Sequence, residues 1–247
     1  MVSHCLNCGA ELHGAYCQQC GQKAKVERIT FRYVVHDLFH FFTHIESGFL
    51  FTSIQMLKSP GATAKNFIEG KRKSYQPPVS YFFIWTTIYI LLLYLIEKTF
   101  GENVVINYQN YFGPGEATKL AIGHLSVVLI FVIPFQALYL WLLMTRNWYG
   151  YFETMVASIY SLGTIIMLQF LFAVMALAVH LMFSVSVELR ISDLLKVGYI
   201  LWFAIHFIRL FDVKGKFWRV VAFAILAFGT FTVWRLYGFP AIAAWTF

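Results

Sequence analysis

The residues best suited to chemistry are four cysteines, all within the first 20 positions. They form two Cys-x2-Cys pairs, Cys5 with Cys8 and Cys17 with Cys20, separated by eight residues. Such a pair presents two thiolates to one ion, and structural zinc binds four ligands in a tetrahedron. The chain opens on a polar, cysteine-rich stretch without the apolar run of a signal peptide, so we expect a cytoplasmic N-terminus and reduced thiols. The spacing therefore predicts one structural Zn²⁺ per chain.

Other uses of the same cysteines are two disulfides or a redox pair, and His4 or His13 lies near enough to replace a thiolate. Glycine follows the second cysteine of each pair, at Gly9 and Gly21, which suits the tight turn of a zinc knuckle. A segment this short has almost no core, so metal binding has to supply its folding energy. Coordination by four cysteines leaves no open position for water, so this site is not expected to be catalytic.

A second candidate metal site is a stripe of three histidines, His36, His40 and His44. They recur every four residues in an amphipathic segment over residues 30–57, and so share one face of the predicted helix. Two neighbouring histidines on one face can bind one ion. A membrane metalloenzyme would need several separate histidine motifs, however, and the chain offers one. We therefore favour a polar stripe at the membrane boundary.

A basic run, Lys71, Arg72 and Lys73, stands just before the first predicted membrane span. Anionic lipid headgroups attract such charges by about 1 kcal/mol each. The run is thus a candidate headgroup contact, although the same charges would also serve to orient the span. Pro77 and Pro78 then begin the span, since a missing N–H costs nothing in the first turn of a helix.

The elements that position these residues are mostly apolar. Of 247 residues, 59% are hydrophobic and 13% are charged, whereas soluble domains carry about 25% charged residues. This composition excludes a disordered chain, a coiled coil and most soluble enzymes. Five stretches are long enough to cross a bilayer. They are Val79–Ile96, Leu120–Met144, Thr154–Phe183, Leu194–Phe211 and Phe217–Tyr237.

The predicted fold is an all-α integral membrane helix bundle of about five transmembrane helices with a small N-terminal zinc ribbon. Its parts are the ribbon at residues 1–25, cytoplasmic juxtamembrane helices and a basic loop at 26–78, and the transmembrane domain at 79–247. With the N-terminus inside, inner connections hold 14 Lys and Arg and outer ones five. This partition follows the positive-inside rule and places the C-terminus outside. The net charge of +7 thus reports topology, and no nucleic-acid partner is expected.

The motifs together resemble a known family. The string CxxCG…YCxxCGQK, then PG at 60–61 and GKRKxYxxP at 70–78, is similar to an uncharacterised bacterial family of zinc-ribbon membrane proteins, a domain of unknown function. A weaker resemblance, over residues 56–237, is to the Yip family of five-span proteins, carried by YGYF at 149–152 and SxYS at 158–161. The Yip resemblance implies membrane organisation through partner binding, without catalysis.

The predicted function is a non-enzymatic scaffold or adaptor in the bacterial inner membrane, whose cytoplasmic zinc ribbon binds a protein partner. Leu6, Leu12 and Tyr16 are the candidate contacts on the ribbon. The alternative is a transporter, channel or lipid-handling protein with a cavity among spans two to five. The first reading is favoured because no Asp or Glu lies near the middle of a predicted span, where transport paths usually place ionisable groups.

Overall fold

The computed structural model describes residues 4–34, 48–101, 104–107 and 125–238. It is mostly helical. A helical turn lies at residues 31–34. The longer α-helices of the described residues are α1 (Phe49–Lys58), α2 (Pro60–Ile68), α3 (Pro78–Phe100), α4 (Leu125–Leu140), α5 (Tyr151–Phe183), α6 (Ser192–Ile208) and α7 (Lys216–Val233). A π-helical turn extends α4 over Trp141–Thr145 and α7 over Trp234–Gly238, and a 3-10 turn at Leu189–Ile191 precedes α6. Two short strands, β1 (Ile106–Asn107) and β2 (Val187–Glu188), pair in parallel.

Four helices among the described residues are long and apolar enough to cross a membrane. They are Pro78–Phe100, Tyr151–Phe183, Leu189–Ile208 and Lys216–Tyr237. The first begins at Pro78, as the proline pair predicts. The predicted second span begins at residue 120, outside the described residues, and the apolar part of α4 that is described, Phe131–Thr145, is shorter. The four apolar helices are those expected of a membrane protein, and a count of five spans stays a prediction.

The long helices alternate in direction. One end of the bundle therefore contains the first residues of α3, α5 and α7 and the last residues of α4 and α6. Thr145, after α4, lies 2.8 Å from Thr154 of α5 between their hydroxyl oxygens. Arg219 at the start of α7 donates to the carbonyl oxygen of Leu143. We call this the ribbon end, because the N-terminal ribbon docks there. The opposite end carries β1 and β2, with the Phe100 and His180 rings 5.5 Å apart.

Helix α1 lies at the ribbon end with its polar face inward. Thr52 and Ser53 are buried, and the Trp85 indole of α3 donates to the Ser53 hydroxyl over 3.1 Å. The Tyr199 hydroxyl of α6 donates to the Met56 carbonyl over 3.3 Å. Apart from Lys58 at the end of the helix, the exposed side chains are apolar, namely Leu50, Phe51, Ile54 and Leu57. A helix at a water surface turns its apolar face inward and its polar face outward. Helix α1 does the opposite, which suits a helix that faces lipid.

Helix α2 packs beside α1 against α5 and α6. The sequence predicts that Pro60 ends one helix; in the structure Pro60 is also the first residue of the next. Gly61 touches the α6 backbone, where an added Cβ would lie 2.6 Å from the carbonyl carbon and oxygen of His206. Only a glycine permits such an approach. Both short helices are thus part of the bundle's packed end.

Candidate metal centre and its docking loop

The four cysteines sit on two successive turns of the same design. In the first, the Cys5 amide donates to the Ala10 carbonyl over 2.7 Å and the Gly9 amide to the Cys5 carbonyl over 2.8 Å. The second repeats this pattern, with Cys17 donating to Gln22 over 2.8 Å and Gly21 to Cys17 over 2.9 Å. Each glycine has a positive φ, which side chains with a Cβ rarely adopt. We use the name ribbon for this segment with its two turns.

The sulfur atoms form one compact group. The Sγ atoms of Cys5 and Cys20 are 3.6 Å apart, those of Cys8 and Cys17 are 3.5 Å apart, and all four lie within 4.8 Å of one another. A tetrahedral zinc ion with Zn–S bonds of about 2.3 Å places its sulfurs about 3.8 Å apart. All four thiols are free, so the disulfide alternative is not adopted. The donor set fits a structural metal ion such as zinc.

The electrostatics of the group also suit a cation. The backbone amide of Cys20 lowers the pKa of the Cys17 thiol to about 6, with help from the Gln19 amide. The Ala10 amide lowers the pKa of Cys8, but burial and the three other thiols outweigh it and raise that pKa to about 12. Four thiolates this close together would repel one another, so a divalent ion is needed for all four to be deprotonated at once.

The two nearby histidines stand apart from this group. His13 is exposed and lies 3.8 Å from the Glu11 carboxylate, and His4 is exposed as well. The metal-binding cluster found among the described residues consists of the four cysteines alone. The stripe of His36, His40 and His44 lies outside the described residues, so it stays a prediction.

The ribbon docks on the loop that joins α2 to α3, through the side chain of Gln22. The Gln22 amide nitrogen donates to the Gly70 carbonyl over 2.9 Å. Its oxygen accepts from the backbone amides of Arg72 and Lys73 over 3.0 and 3.1 Å. Gln22 is only 6% exposed, so these bonds are shielded from water. One glutamine side chain thus bonds to three backbone groups in and next to the basic run. We call residues 70–76 the docking loop.

Two further contacts complete the docking. Leu6 covers Gly70, where an added Cβ would lie 2.8 Å from the Leu6 Cδ1 atom and φ is +105°. The Ser74 hydroxyl donates to the Asn7 side-chain oxygen over 3.2 Å. Leu6, predicted as a partner contact, packs against Gly70 with part of its side chain and is still 42% exposed.

The three cations of the basic run have different surroundings. The Arg72 guanidinium donates to the Glu27 carbonyl over 2.8 Å and lies 4.8 Å from the Tyr33 ring centre. Lys71 and Lys73 are exposed. Of the three predicted headgroup contacts, the two lysines face solvent, while Arg72 holds the segment after the ribbon.

The segment after the ribbon is also tied to α5. Arg28 lies 3.4 Å from the Glu153 carboxylate, whose second oxygen accepts from the Gly150 amide and caps α5. Nearby, Tyr149 donates to Glu69 over 2.8 Å. Burial, with the Glu69 carboxylate beside it, raises the pKa of Tyr149. The ribbon end is thus a network of contacts between segments distant in sequence.

A separate feature is an apolar groove of about 540 Å³ between α4 and α7. Phe131, Phe135 and Tyr139 line one side, and Leu226, Gly229 and Val233 line the other. The Tyr139 and Thr230 hydroxyl oxygens are 3.0 Å apart across it. It is the kind of cavity among the predicted spans that a lipid-handling protein would use.

The contact between Gln22 and the docking loop could not be predicted from the sequence. Gln22 stands directly after the second CxxCG string, and Gly70 opens the basic run, so both belong to the motifs that carry the resemblance. Their positions are 48 residues apart. Linking them from one sequence would require a long-range signal that spacing does not contain.

One family model matches the chain, over residues 46–90, with the description "Protein of unknown function (DUF3667)". The match covers α1, α2, the docking loop and the first half of α3. No curated protein and no solved structure matches the chain. The weaker resemblance to the Yip family therefore receives no support. The match and the cysteine cluster fit the resemblance to an uncharacterised family of membrane proteins.

Proposed function

We propose that this protein is a non-enzymatic membrane scaffold or adaptor with a structural zinc ion, whose ribbon binds a protein partner. The observation that carries the proposal is a closed donor set of four thiols on a ribbon docked to one end of an apolar helix bundle. Such a set holds a metal without leaving a position for substrate or water. The ribbon then presents a folded surface at the membrane.

The proposed setting is the bacterial inner membrane, with the N-terminus in the cytoplasm and the C-terminus outside. The connections assigned to the inner side by sequence carry 14 of the 19 Lys and Arg residues. In the structure, the residues that precede α3, join α4 to α5 and join α6 to α7 meet at the ribbon end. The positive-inside rule therefore favours a cytoplasmic ribbon end.

The partner surface is the side of the ribbon turned away from the docking loop. Tyr16 is 56% exposed, and Leu12 is half-buried on the turn between the two knuckles. An exposed tyrosine is a frequent anchor of protein interfaces. Leu6 is 42% exposed although it packs against Gly70, so we assign Leu12 and Tyr16 as the main contacts with the partner and Leu6 as an additional one.

The test is affinity purification of the full chain from bacterial membranes, comparing Tyr16→Ala with Gln18→Ala, an exposed residue of the same ribbon. We expect Tyr16→Ala to lose a co-purifying protein while zinc content and membrane insertion match the wild type. Gln18→Ala should retain that protein. Equal co-purification with both variants would contradict the proposal. Deleting residues 1–25 is less specific, because it also removes the Gln22 contacts.

A second candidate function, lipid handling, is favoured by the apolar groove between α4 and α7. Gly229 lines it, and a Cβ there meets nothing within 4 Å, so Gly229→Trp should fill the groove without disturbing the fold. If lipid handling is the function, this variant slows the transfer of a fluorescent phospholipid across reconstituted vesicles. Transfer no faster than in protein-free vesicles would exclude this function.

A further inference from the structure

We propose that metal binding at the four cysteines latches the docking loop, so that metal loss releases residues 72–74 while both ends of the loop stay fixed to the bundle. This goes beyond the scaffold function and shares with it only the metal. Zinc is the ion that the donor set fits, and its role here is to fix the backbone of the second knuckle.

The link from metal to loop runs through Gln22. Its carbonyl accepts from the Cys17 amide, so the knuckle that presents Cys17 and Cys20 also places the Gln22 side chain. Without metal, a ribbon this small has little else to hold that turn. Gln22 would then leave the Gly70 carbonyl and the amides of Arg72 and Lys73 without their partner.

Both ends of the loop are held by the bundle instead. At the near end, the Gly70 amide donates to the Phe67 carbonyl over 3.1 Å and the Lys71 amide to the Asn66 carbonyl over 2.9 Å.

At the far end, the contacts are made by residues 75 and 76. The Gln76 amide donates to the Thr52 hydroxyl over 2.8 Å, and the Tyr160 hydroxyl donates to the Gln76 carbonyl. Tyr75 is buried, its ring centre 5.5 Å from that of Phe51. These contacts involve no ribbon residue. Release should therefore be confined to residues 72–74 and leave the end of α2 and the start of α3 in place.

The consequence concerns the exposed Lys73. In the latched loop its side chain lies over the ribbon, and its Cε atom is 4.0 Å from the point that a Cβ on Gly21 would occupy. Once residues 72–74 are released, Lys73 loses this fixed position next to the membrane end of the bundle. Metal occupancy thus decides whether the Lys73 charge lies on the surface of the ribbon or on a free strand.

The experiment is hydrogen exchange of the full chain in lipid nanodiscs, zinc-loaded and after chelation. We expect the amides of Arg72 and Lys73 to exchange about tenfold faster or more once the Gln22 bond is lost. The Gln76 amide and those of α3 should be unchanged. Zinc content per chain is measured on the same samples, and partner capture is measured separately, so this proposal and the scaffold function can fail independently.

Two variants separate the latch from ribbon unfolding. Gln22→Ala removes the link with the cysteines intact, and we expect fast exchange at Arg72 and Lys73 while zinc stays bound. Gly70→Ala breaks the docking from the loop side, since φ is +105° there and the new Cβ meets Leu6. Gln18→Ala is the matched control, with wild-type exchange expected. Unchanged protection of Arg72 and Lys73 after chelation, or in both zinc-loaded variants, would overturn the proposal.

Discussion

The ribbon and the helix bundle are stabilised by different interactions. In the ribbon, the buried cysteines are Cys5 and Cys17, and order comes from two backbone turns and the metal they can hold. In the bundle, α5 buries an almost continuous stretch of side chains against α3 and α4. The docking loop joins the two regions, and the segment after the ribbon also contacts α5 through Arg28. A perturbation of one region should therefore reach the other only as far as these contacts.

The largest expected effect is loss of the ribbon fold in Cys17→Ser. Structural zinc contributes about 10–16 kcal/mol to the folding of small zinc domains, and little else holds this segment. We expect ribbon amides such as those of Gly9 and Gly21 to exchange freely, while α5 keeps its protection. Hydrogen exchange with mass spectrometry measures both regions in one sample. Simultaneous loss of protection in α5 would show that the two regions are not separate.

The converse prediction perturbs the bundle and leaves the ribbon intact. Gly61→Val places a side chain against the α6 backbone at His206, and overpacking of this kind costs about 3 kcal/mol. The thermal midpoint of the bundle in detergent should fall, with zinc content unchanged.

Gly229→Ala is the matched control for Gly61→Val, because a Cβ on α7 at this position meets nothing within 4 Å. Its midpoint should equal or slightly exceed that of the wild type, as expected for Gly→Ala in a helix. A similar fall in the thermal midpoint of both variants would mean that the close contact between α2 and α6 does not account for the effect of Gly61→Val.

The smallest predicted effect concerns one buried hydrogen bond in the bundle. The Tyr81 and Thr164 hydroxyl oxygens are 3.1 Å apart between α3 and α5, and Tyr81→Phe should cost about 1 kcal/mol. Tyr94 lies on the same helix and is 56% exposed, so Tyr94→Phe should have no measurable effect. Denaturant unfolding followed by tryptophan fluorescence compares the two. A lower free energy of unfolding for Tyr94→Phe than for Tyr81→Phe would contradict the packing described.

The cysteine cluster could be predicted from sequence because its geometry is local. Two Cys-x2-Cys turns and their glycines determine where four sulfurs point. The apolar spans could also be predicted, because length and hydropathy depend on neighbouring residues alone. The proline pair located the start of α3 for the same reason.

Long-range contacts could not be predicted in the same way. The Gln22 bonds join residues 48 to 51 positions apart, and the Gly61 contact depends on where α6 ends. Helix α1 is a different case. Its periodicity predicts an amphipathic helix, but only its neighbours determine that Thr52 and Ser53 face inward and Leu50 and Ile54 face outward.

The central claim is that the four cysteines hold one structural zinc ion, and metal analysis of the purified full chain tests it most directly. We predict one zinc per chain in the wild type, loss of zinc when Cys5, Cys8, Cys17 and Cys20 are all changed to serine, and full zinc content in His40→Ala. Zinc retained in the quadruple serine variant, or a wild-type chain that binds no zinc, would contradict the claim.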